Sequence, residues 1–257
     1  MHVKELFDLT GQVAVVTGGG RGLGKQIAEG FAEAGANVVV CSRKEAACME
    51  VSEQLKKMGV ESLALKCDIT NPEDIENLVA KTLEKFGRID ILVNNSGATW
   101  GAPVEEMPLS AWQKVMNTNV TGTFLMSQAV GKVMLEQQYG KIINIASVAG
   151  LKGSNPKLMD TIGYNSSKGA VITFTKDLAV KWGPRGIYVN AIAPGFFPTQ
   201  MSKVTMEKGS EQFLEGTPLR KFGTENDLKG AVVFLASKAS DFITGEILVV
   251  DGGTNAT

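Results

Sequence analysis

The stretch VAVVTGGGRGLGKQIAEGFAEAGANVVVC, residues 13–41, decides the fold. Val13–Thr17 is an apolar, β-branched run that reads as a strand. A glycine-rich turn follows, then a helical pattern over roughly 22–35, then a second strand-like run at 37–41. Both runs are nearly all apolar rather than alternating, as expected of strands covered on both faces. Two such strands joined through a helix form a parallel, right-handed βαβ unit.

Further strand-like runs stand at 62–67, 90–94, 141–146, 187–192 and 246–250, with helical stretches at 44–58, 71–86, 110–138, 164–182 and 224–236. Asn71-Pro72 reads as N-cap and first residue of the 71–86 helix, and Gly183-Pro184 as the stop of the helix before it. The alternation implies an α/β fold with a parallel sheet. There is no linker, repeat or low-complexity tract, so a single domain over 1–257 is expected. Residues 196–222 lack strong regularity, and a connection of that length is usually a lid or binding loop. Its Met201, Met206, Phe213 and Leu214 fit short amphipathic helices folded over a pocket.

Composition removes several functions. The formal net charge is −1, so no global basic field recruits nucleic acid or an anionic membrane. No apolar run approaches the ~18 residues of a membrane span. MHVKELFDLTGQ at the start carries acids and no continuous apolar core, so it is not read as a secretory signal. Cys41, Cys48 and Cys67 show neither CxxC nor metal-ligand spacing. Buried, reduced thiols and a cytoplasmic location are expected, and no metal site. The single histidine is His2, which excludes a histidine zinc site and a Ser-His-Asp triad.

The glycine turn is the first functional signal. Backbone N–H groups at the start of a helix face an anion favourably. Gly18, Gly22 and Gly24 give TGxxxGxG, a lengthened dinucleotide fingerprint directly after the first strand. Gly19–Lys25 also matches the front of a P-loop, but Gln26 stands where a magnesium-binding Ser or Thr belongs. The second strand ends in Ser42-Arg43, with no acid for a ribose 2′-hydroxyl. Arg43, with Arg21 in the turn, suits a 2′-phosphate, so NADP(H) is expected over NAD(H).

The second signal is a pair of polar residues. Tyr164 and Lys168 are four apart on one helix face, which continues through Val171, Thr175, Leu178 and Trp182. A free phenol titrates near pH 10 and exchanges protons poorly at neutral pH. The ammonium is expected to lower that value and fit Tyr164 to protonate a carbonyl oxygen that receives hydride. Ser147, at the carboxyl end of the fifth strand, is placed to hydrogen-bond the same oxygen, on the edge where open α/β sheets bind ligands.

TGGGRGLG, NNSG at 94–97, Asn119 in NTNVTG, Ser147, YNSSK and APG at 193–195 together resemble the short-chain dehydrogenases/reductases, from about residue 8 to the terminal DGG. The resemblance implies a Rossmann-type, doubly wound, seven-stranded parallel sheet with helices on both faces, and a homotetramer. It makes Tyr164 the acid/base, Lys168 the ribose anchor and tuner of that tyrosine, and Ser147 the group that orients the carbonyl. Asn119 would hold a water linking Lys168 to solvent. Cofactor contacts would come from Thr17, Gly18, Arg21, Gly22, Leu23 and Gly24 in the turn, and from Ser42 and Arg43 after the second strand. Asp68 and Ile69 would meet the adenine, Asn95, Ser96 and Gly97 the adenosine ribose side, and Thr199 the carboxamide, beside Pro194, Gly195 and Phe197.

Two features depart from the family pattern. NNSG replaces NNAG, and the step of 17 positions from Ser147 to Tyr164 exceeds the common gap, which makes 151–163 a variable part of the pocket. The stretches INIASVAG and APGFFPTQM resemble bacterial 3-oxoacyl carrier-protein reductases. APGFFPTQM and FLASKASDFITGEILVVDGG also resemble gluconate 5-dehydrogenase-type enzymes. Trp100, Met159, Phe196, Phe197 and Met201 as pocket residues point to a small-molecule or acyl-thioester carbonyl. Lys152, Lys157, Lys203 and Arg220 would attract a carrier phosphate or a sugar carboxylate. A non-catalytic NADP(H)-binding regulator is the reading from another class, and the intact Asn-Ser-Tyr-Lys set speaks against it.

Overall fold

The computed structural model describes residues 1–199 and 210–256. At its centre is a parallel sheet of β1 (Val13–Thr17), β2 (Asn37–Ser42), β3 (Ser62–Lys66), β4 (Ile91–Asn94), β5 (Gly140–Ile145), β6 (Ile187–Pro194) and β7 (Ile247–Val250). The seven strands lie in the order β3-β2-β1-β4-β5-β6-β7. Val15 pairs with Val39 on one side and Leu92 on the other, and Asn94 pairs with Asn144. The chain winds outward from β1 to β3, then returns to β4 on the other side. The loops after β1 and β4 therefore diverge and leave a crevice at the carboxyl edge, the switch point where such sheets bind ligands.

Helices α1 (Gly22–Glu33), α2 (Glu45–Lys57), α3 (Pro72–Phe86), α4 (Leu109–Met116), α5 (Gly122–Gln137), α6 (Ile162–Trp182) and α7 (Glu225–Ala236) connect the strands. The alternation of each strand sends its apolar residues into two cores. Ala14, Val16, Val38 and Val40 meet Ile27 and Phe31 of α1, Val51 and Leu55 of α2, and Leu228 and Val232 of α7. Val13, Val15 and Val39 meet Leu78 of α3, Met126 and Val130 of α5, and Leu178 of α6. This double covering is the reason the interior positions of β1 and β2, Ala14–Val16 and Val38–Cys41, are all apolar. Each fully buried Val, Leu, Ile or Phe stabilises the fold by about 1.5–3 kcal/mol.

Local signals place the helix ends. Asn71 Oδ1 accepts from Glu73 N at 3.0 Å, Pro72 opens α3, and Gly87 closes it at φ 74°. The helix expected over 110–138 is divided: a π-helical turn, Asn117–Thr121, separates α4 from α5. Hydroxyl back-bonds flank it, Thr118 Oγ1 to Lys114 O at 2.9 Å and Thr123 Oγ1 to Asn119 O at 2.8 Å. The wider turn brings Asn119 inward, where it is 1% exposed, and turns of this kind are often found at functional sites. No helix of the described residues is long and apolar enough to cross a membrane.

Candidate active site

The loops after β1 and β4 form the first wall of the crevice, and two side chains tie them together. Thr17 Oγ1 donates to Val93 O at 3.3 Å and accepts from the backbone N–H of Asn95 and of Ser96, each at 3.0 Å. Asn95 Nδ2 donates to Thr17 O at 2.8 Å. A Cβ on Gly24 would lie 2.3 Å from Gly18 O and 2.5 Å from Asn95 Nδ2, so only glycine lets α1 start this close to the turn. Thr17 thus lies beneath the glycine turn, while Gly18, Arg21, Gly22, Leu23 and Gly24 face a cleft of about 870 Å³.

The same cleft is bordered by Ser42, Arg43, Asp68 and Ile69 at the β2–β3 end, and by Asn95, Ser96 and Gly97 after β4. Pro194, Gly195, Phe197 and Thr199 close it from β6. Ser42 Oγ donates to Lys44 O at 3.0 Å and receives Cys48 Sγ at 3.2 Å, so its hydroxyl shapes the turn that carries Arg43 and Lys44. Burial pushes the Asp68 carboxyl up, but hydrogen bonds from Thr70 and the charge of Arg43 outweigh it and hold the group below its ordinary value. An open helix start, a glycine turn with no side chain in the way, and Arg21, Arg43 and Lys44 at one end fit the phosphates of a dinucleotide.

At the other end stand Ser147, Tyr164 and Lys168. Ser147 follows β5, and its Oγ accepts from Ala149 N at 3.1 Å, closing a short turn over 148–150. That turn packs on the backbone of α6: a Cβ on Gly150 would lie 2.6 Å from the Lys168 carbonyl carbon and 2.7 Å from Gly169 N. The close approach brings the Ser147 hydroxyl near enough to the Tyr164 phenol to favour its charged form. Lys168 is 5% exposed, donates from Nζ to Ile145 O at 2.6 Å, and lies 5.6 Å from the Tyr164 ring centre. Asn119 joins from the π-helical turn. Its Oδ1 accepts from Ala98 N at 2.7 Å, and its Nδ2 donates to Ala98 O at 2.9 Å and to Ser167 Oγ at 2.8 Å. Gly97 leaves room between Asn119 Oδ1 and Lys168 Nζ, which lie 3.4 and 4.0 Å from where its Cβ would be.

One electrostatic expectation is corrected. Burial raises the Tyr164 phenol above its ordinary value, with the Ser147 hydrogen bond opposing the rise. The Lys168 ammonium points at the Ile145 carbonyl and is itself costly to bury, so it does not bring the phenol down.

Other expectations fall differently. Met159 and Phe196 line the cleft, whereas Trp100, Lys152, Lys157 and Arg220 do not. Lys152 Nζ donates to Thr254 O, and Arg220 Nη1 to Glu215 O and Leu214 O. Met201, Lys203 and Met206 lie outside the described residues. Lys44, Thr99 and Thr161 line the cleft without having been singled out. Lys44 follows the second strand directly, where a cation beside Arg43 was the available signal. The three thiols are buried, and the described residues contain no cluster able to hold a metal ion.

A family model described as enoyl-(acyl carrier protein) reductase matches residues 18–255. A 3-oxoacyl-[acyl-carrier-protein] reductase of Synechocystis sp. is 42% identical over 95% of this chain and 97% of its own. A short-chain type dehydrogenase/reductase of Mycobacterium marinum superposes with a TM-score of 0.96 at 35% identity, covering all of both chains. A gluconate 5-dehydrogenase of Burkholderia cenocepacia, solved with NADP and tartrate, gives 0.94 at 34% identity over all of both chains.

Burial of Lys168 has a consequence for stability. Its folded value is brought from 10.5 to about 8. Below about pH 8 both states hold the proton and the cost of burying the charge is felt in full. Between about 8 and 10.5 the unfolded chain binds more protons, so stability rises with pH. In chemical denaturation across that window, wild type should gain stability relative to Lys168→Met. Parallel curves would remove the burial cost.

Proposed function

The chain belongs to the short-chain dehydrogenase/reductase family, oxidoreductases that interconvert CH–OH and C=O with a nicotinamide nucleotide, and from that premise we propose an NADP(H)-dependent reductase of 3-oxoacyl-type or similarly uncharged ketones. The observation that carries this reading is the division of the cleft. Among its described lining residues, Arg43, Lys44 and Asp68 stand at the β2–β3 end and Arg21 in the glycine turn, while Met159, Val148 and Phe196 accompany Ser147 and Tyr164. Lys168 is the one charged side chain at that second end, and it is turned to a backbone carbonyl.

In this reading Arg21, Arg43 and Lys44 with the start of α1 hold the phosphates, including a 2′-phosphate. Asp68 and Ile69 border the adenine, and Ser42 shapes the turn beside it. Asn95, Ser96 and Gly97 line the ribose side, and Pro194, Gly195, Phe197 and Thr199 enclose the nicotinamide. The bound nucleotide supplies hydride.

The chain's own residues manage the oxygen. Ser147 Oγ–H orients the carbonyl and hydrogen-bonds its oxygen. Burial keeps the Tyr164 phenol protonated until that oxygen becomes strongly basic, and Tyr164 Oη then gives up its proton. The phenolate left behind is stabilised by Ser147. With a value of about 8, Lys168 Nζ can return the proton near neutral pH. Asn119 keeps one Oδ1 lone pair beside the space at Gly97, where a water would link Lys168 to solvent.

The limbs on either side of 200–209 support a lid over 196–222. Phe196 stacks on Phe213 with ring centres 3.8 Å apart, and Gly223 N donates to Phe196 O at 2.9 Å. Phe124 on α5 and Val180 on α6, 45% and 77% exposed, support the homotetramer that the family resemblance implies. Sparse, reduced thiols accord with a cytoplasmic enzyme.

Two measurements test the reading. In a panel of 3-oxoacyl thioesters, 5-ketogluconate and simple diketones, followed as NADPH loss, the acyl thioesters and diketones should be reduced with higher kcat/KM than the sugar acid. Preference for 5-ketogluconate would favour the gluconate 5-dehydrogenase-like alternative. Separately, Arg43→Asp should move the preference from NADPH towards NADH by about tenfold or more, the worth of about one charge-assisted hydrogen bond. An unchanged ratio would remove Arg43 from the phosphate site.

A further inference from the structure

The segment between Ser147 and Tyr164 has little regular structure of its own, yet it supplies Met159 and Thr161 to the cleft beside the reacting end. Something must hold it, and the contacts converge on the residue directly after Tyr164. Asn165 Oδ1 accepts from Thr161 Oγ1 at 2.9 Å, and Asn165 Nδ2 donates to Ser154 Oγ at 2.9 Å. One amide therefore grips the loop on both sides of Met159. The Thr161 hydroxyl makes no capping bond to α6, although it stands at the N-cap. Its bond to Asn165 takes that place.

Within the grip, the loop is braced locally. Asn155 O accepts from Met159 N at 2.9 Å, and Asn155 Oδ1 accepts from Lys157 N at 3.0 Å. Asp160 O accepts from Ala102 N at 3.0 Å, which joins the loop to the stretch carrying Thr99. Among the described residues, the Asn165 amide links this braced turn to α6, together with the helix's first backbone turn. Asparagine is a poor helix former, because its side chain competes for backbone groups. Here that side chain is taken up by the loop.

We propose that Asn165 is a positioning residue: it fixes the Met159–Thr161 wall against Ser147 and Tyr164, and through that wall it sets which ketones the site accepts. The proposal rests on the carbonyl-reductase reading. Asn165 points to the loop, so it acts through Met159 and Thr161. A wall held to a fraction of an ångström discriminates between substrates, and a loose one does not.

The test compares Asn165→Leu with Asn165→Asp. Leucine keeps the size, favours the helix and removes both hydrogen bonds. Aspartate keeps two acceptors, and the hydroxyls of Thr161 and Ser154 can both donate to them. Asn165→Leu should raise KM for a 3-oxoacyl thioester about tenfold and flatten the preference between short and long chains, with NADPH affinity unchanged. Asn165→Asp should restore most of both. Hydrogen exchange at 151–161 should quicken in the leucine variant alone, while exchange in the glycine turn stays as in wild type. A folded leucine variant with wild-type KM and chain-length preference would overturn the proposal. If wild type reduced no ketone, the carbonyl-reductase reading would fail instead. The role of Asn165 would then be decided by exchange alone, with unchanged exchange at 151–161 overturning it.

Discussion

Lys168 Nζ, almost wholly enclosed by protein, reaches the carbonyl oxygen of Ile145 at 2.6 Å, and the geometry of the reacting end depends on that contact. It requires α6 to cross the end of β5 at backbone distance. The 148–150 turn and the Lys168–Gly169 peptide meet where even a methyl group would not fit on Gly150. Once the helix is seated there, its first two turns bring Tyr164 over Ser147 and leave Lys168 beneath. The seat has an electrostatic cost, since an enclosed ammonium is disfavoured and moves to about 8. A lysine held there for stability alone would be a poor choice. One held to exchange protons near neutral pH is well placed.

The opposite end of the cleft is built on a different constraint. The loops after β1 and β4 leave the sheet in diverging directions, and Thr17 and Asn95 draw them together. Gly24 lets the start of α1 rest on that junction, so the first turn of the helix borders the cleft. Among the described lining residues, the cationic side chains other than Lys168 stand on the turn after β2 and in the glycine turn. The two ends thus differ in kind: one presents backbone and guanidinium groups, and the other a hydroxyl, a phenol and apolar walls.

Much of this was legible in the residues because the signals are local. The apolar strands, the glycine turn and the four-residue spacing of Tyr164 and Lys168 each express a short-range requirement. What was not legible depends on distant partners. The π-helical turn at Asn117–Thr121 hides inside an apolar period that an ordinary helix shares, and only contact with Ala98 and Ser167 shows why Asn119 turns inward. Lys152 and Arg220 read as anion-attracting cations, yet they donate to carbonyls of Thr254 and Glu215 that the fold brings near them. The phenol's upward shift also follows from enclosure, which spacing does not reveal. Asn165 stood unremarked inside YNSSK because its partners, Ser154 and Thr161, belong to a loop with no pattern of its own.

In the proposed reaction Tyr164 gives a proton to a carbonyl oxygen at a site completed by Ser147 and Lys168. The most direct measurement is single-turnover reduction of a 3-oxoacyl thioester by Tyr164→Phe, made beside a titration of NADPH binding. Phenylalanine keeps the ring and its packing but has no proton to give. Turnover should fall by at least about a hundredfold, with NADPH affinity nearly unchanged. Turnover at the wild-type rate would contradict it and place the proton donor elsewhere.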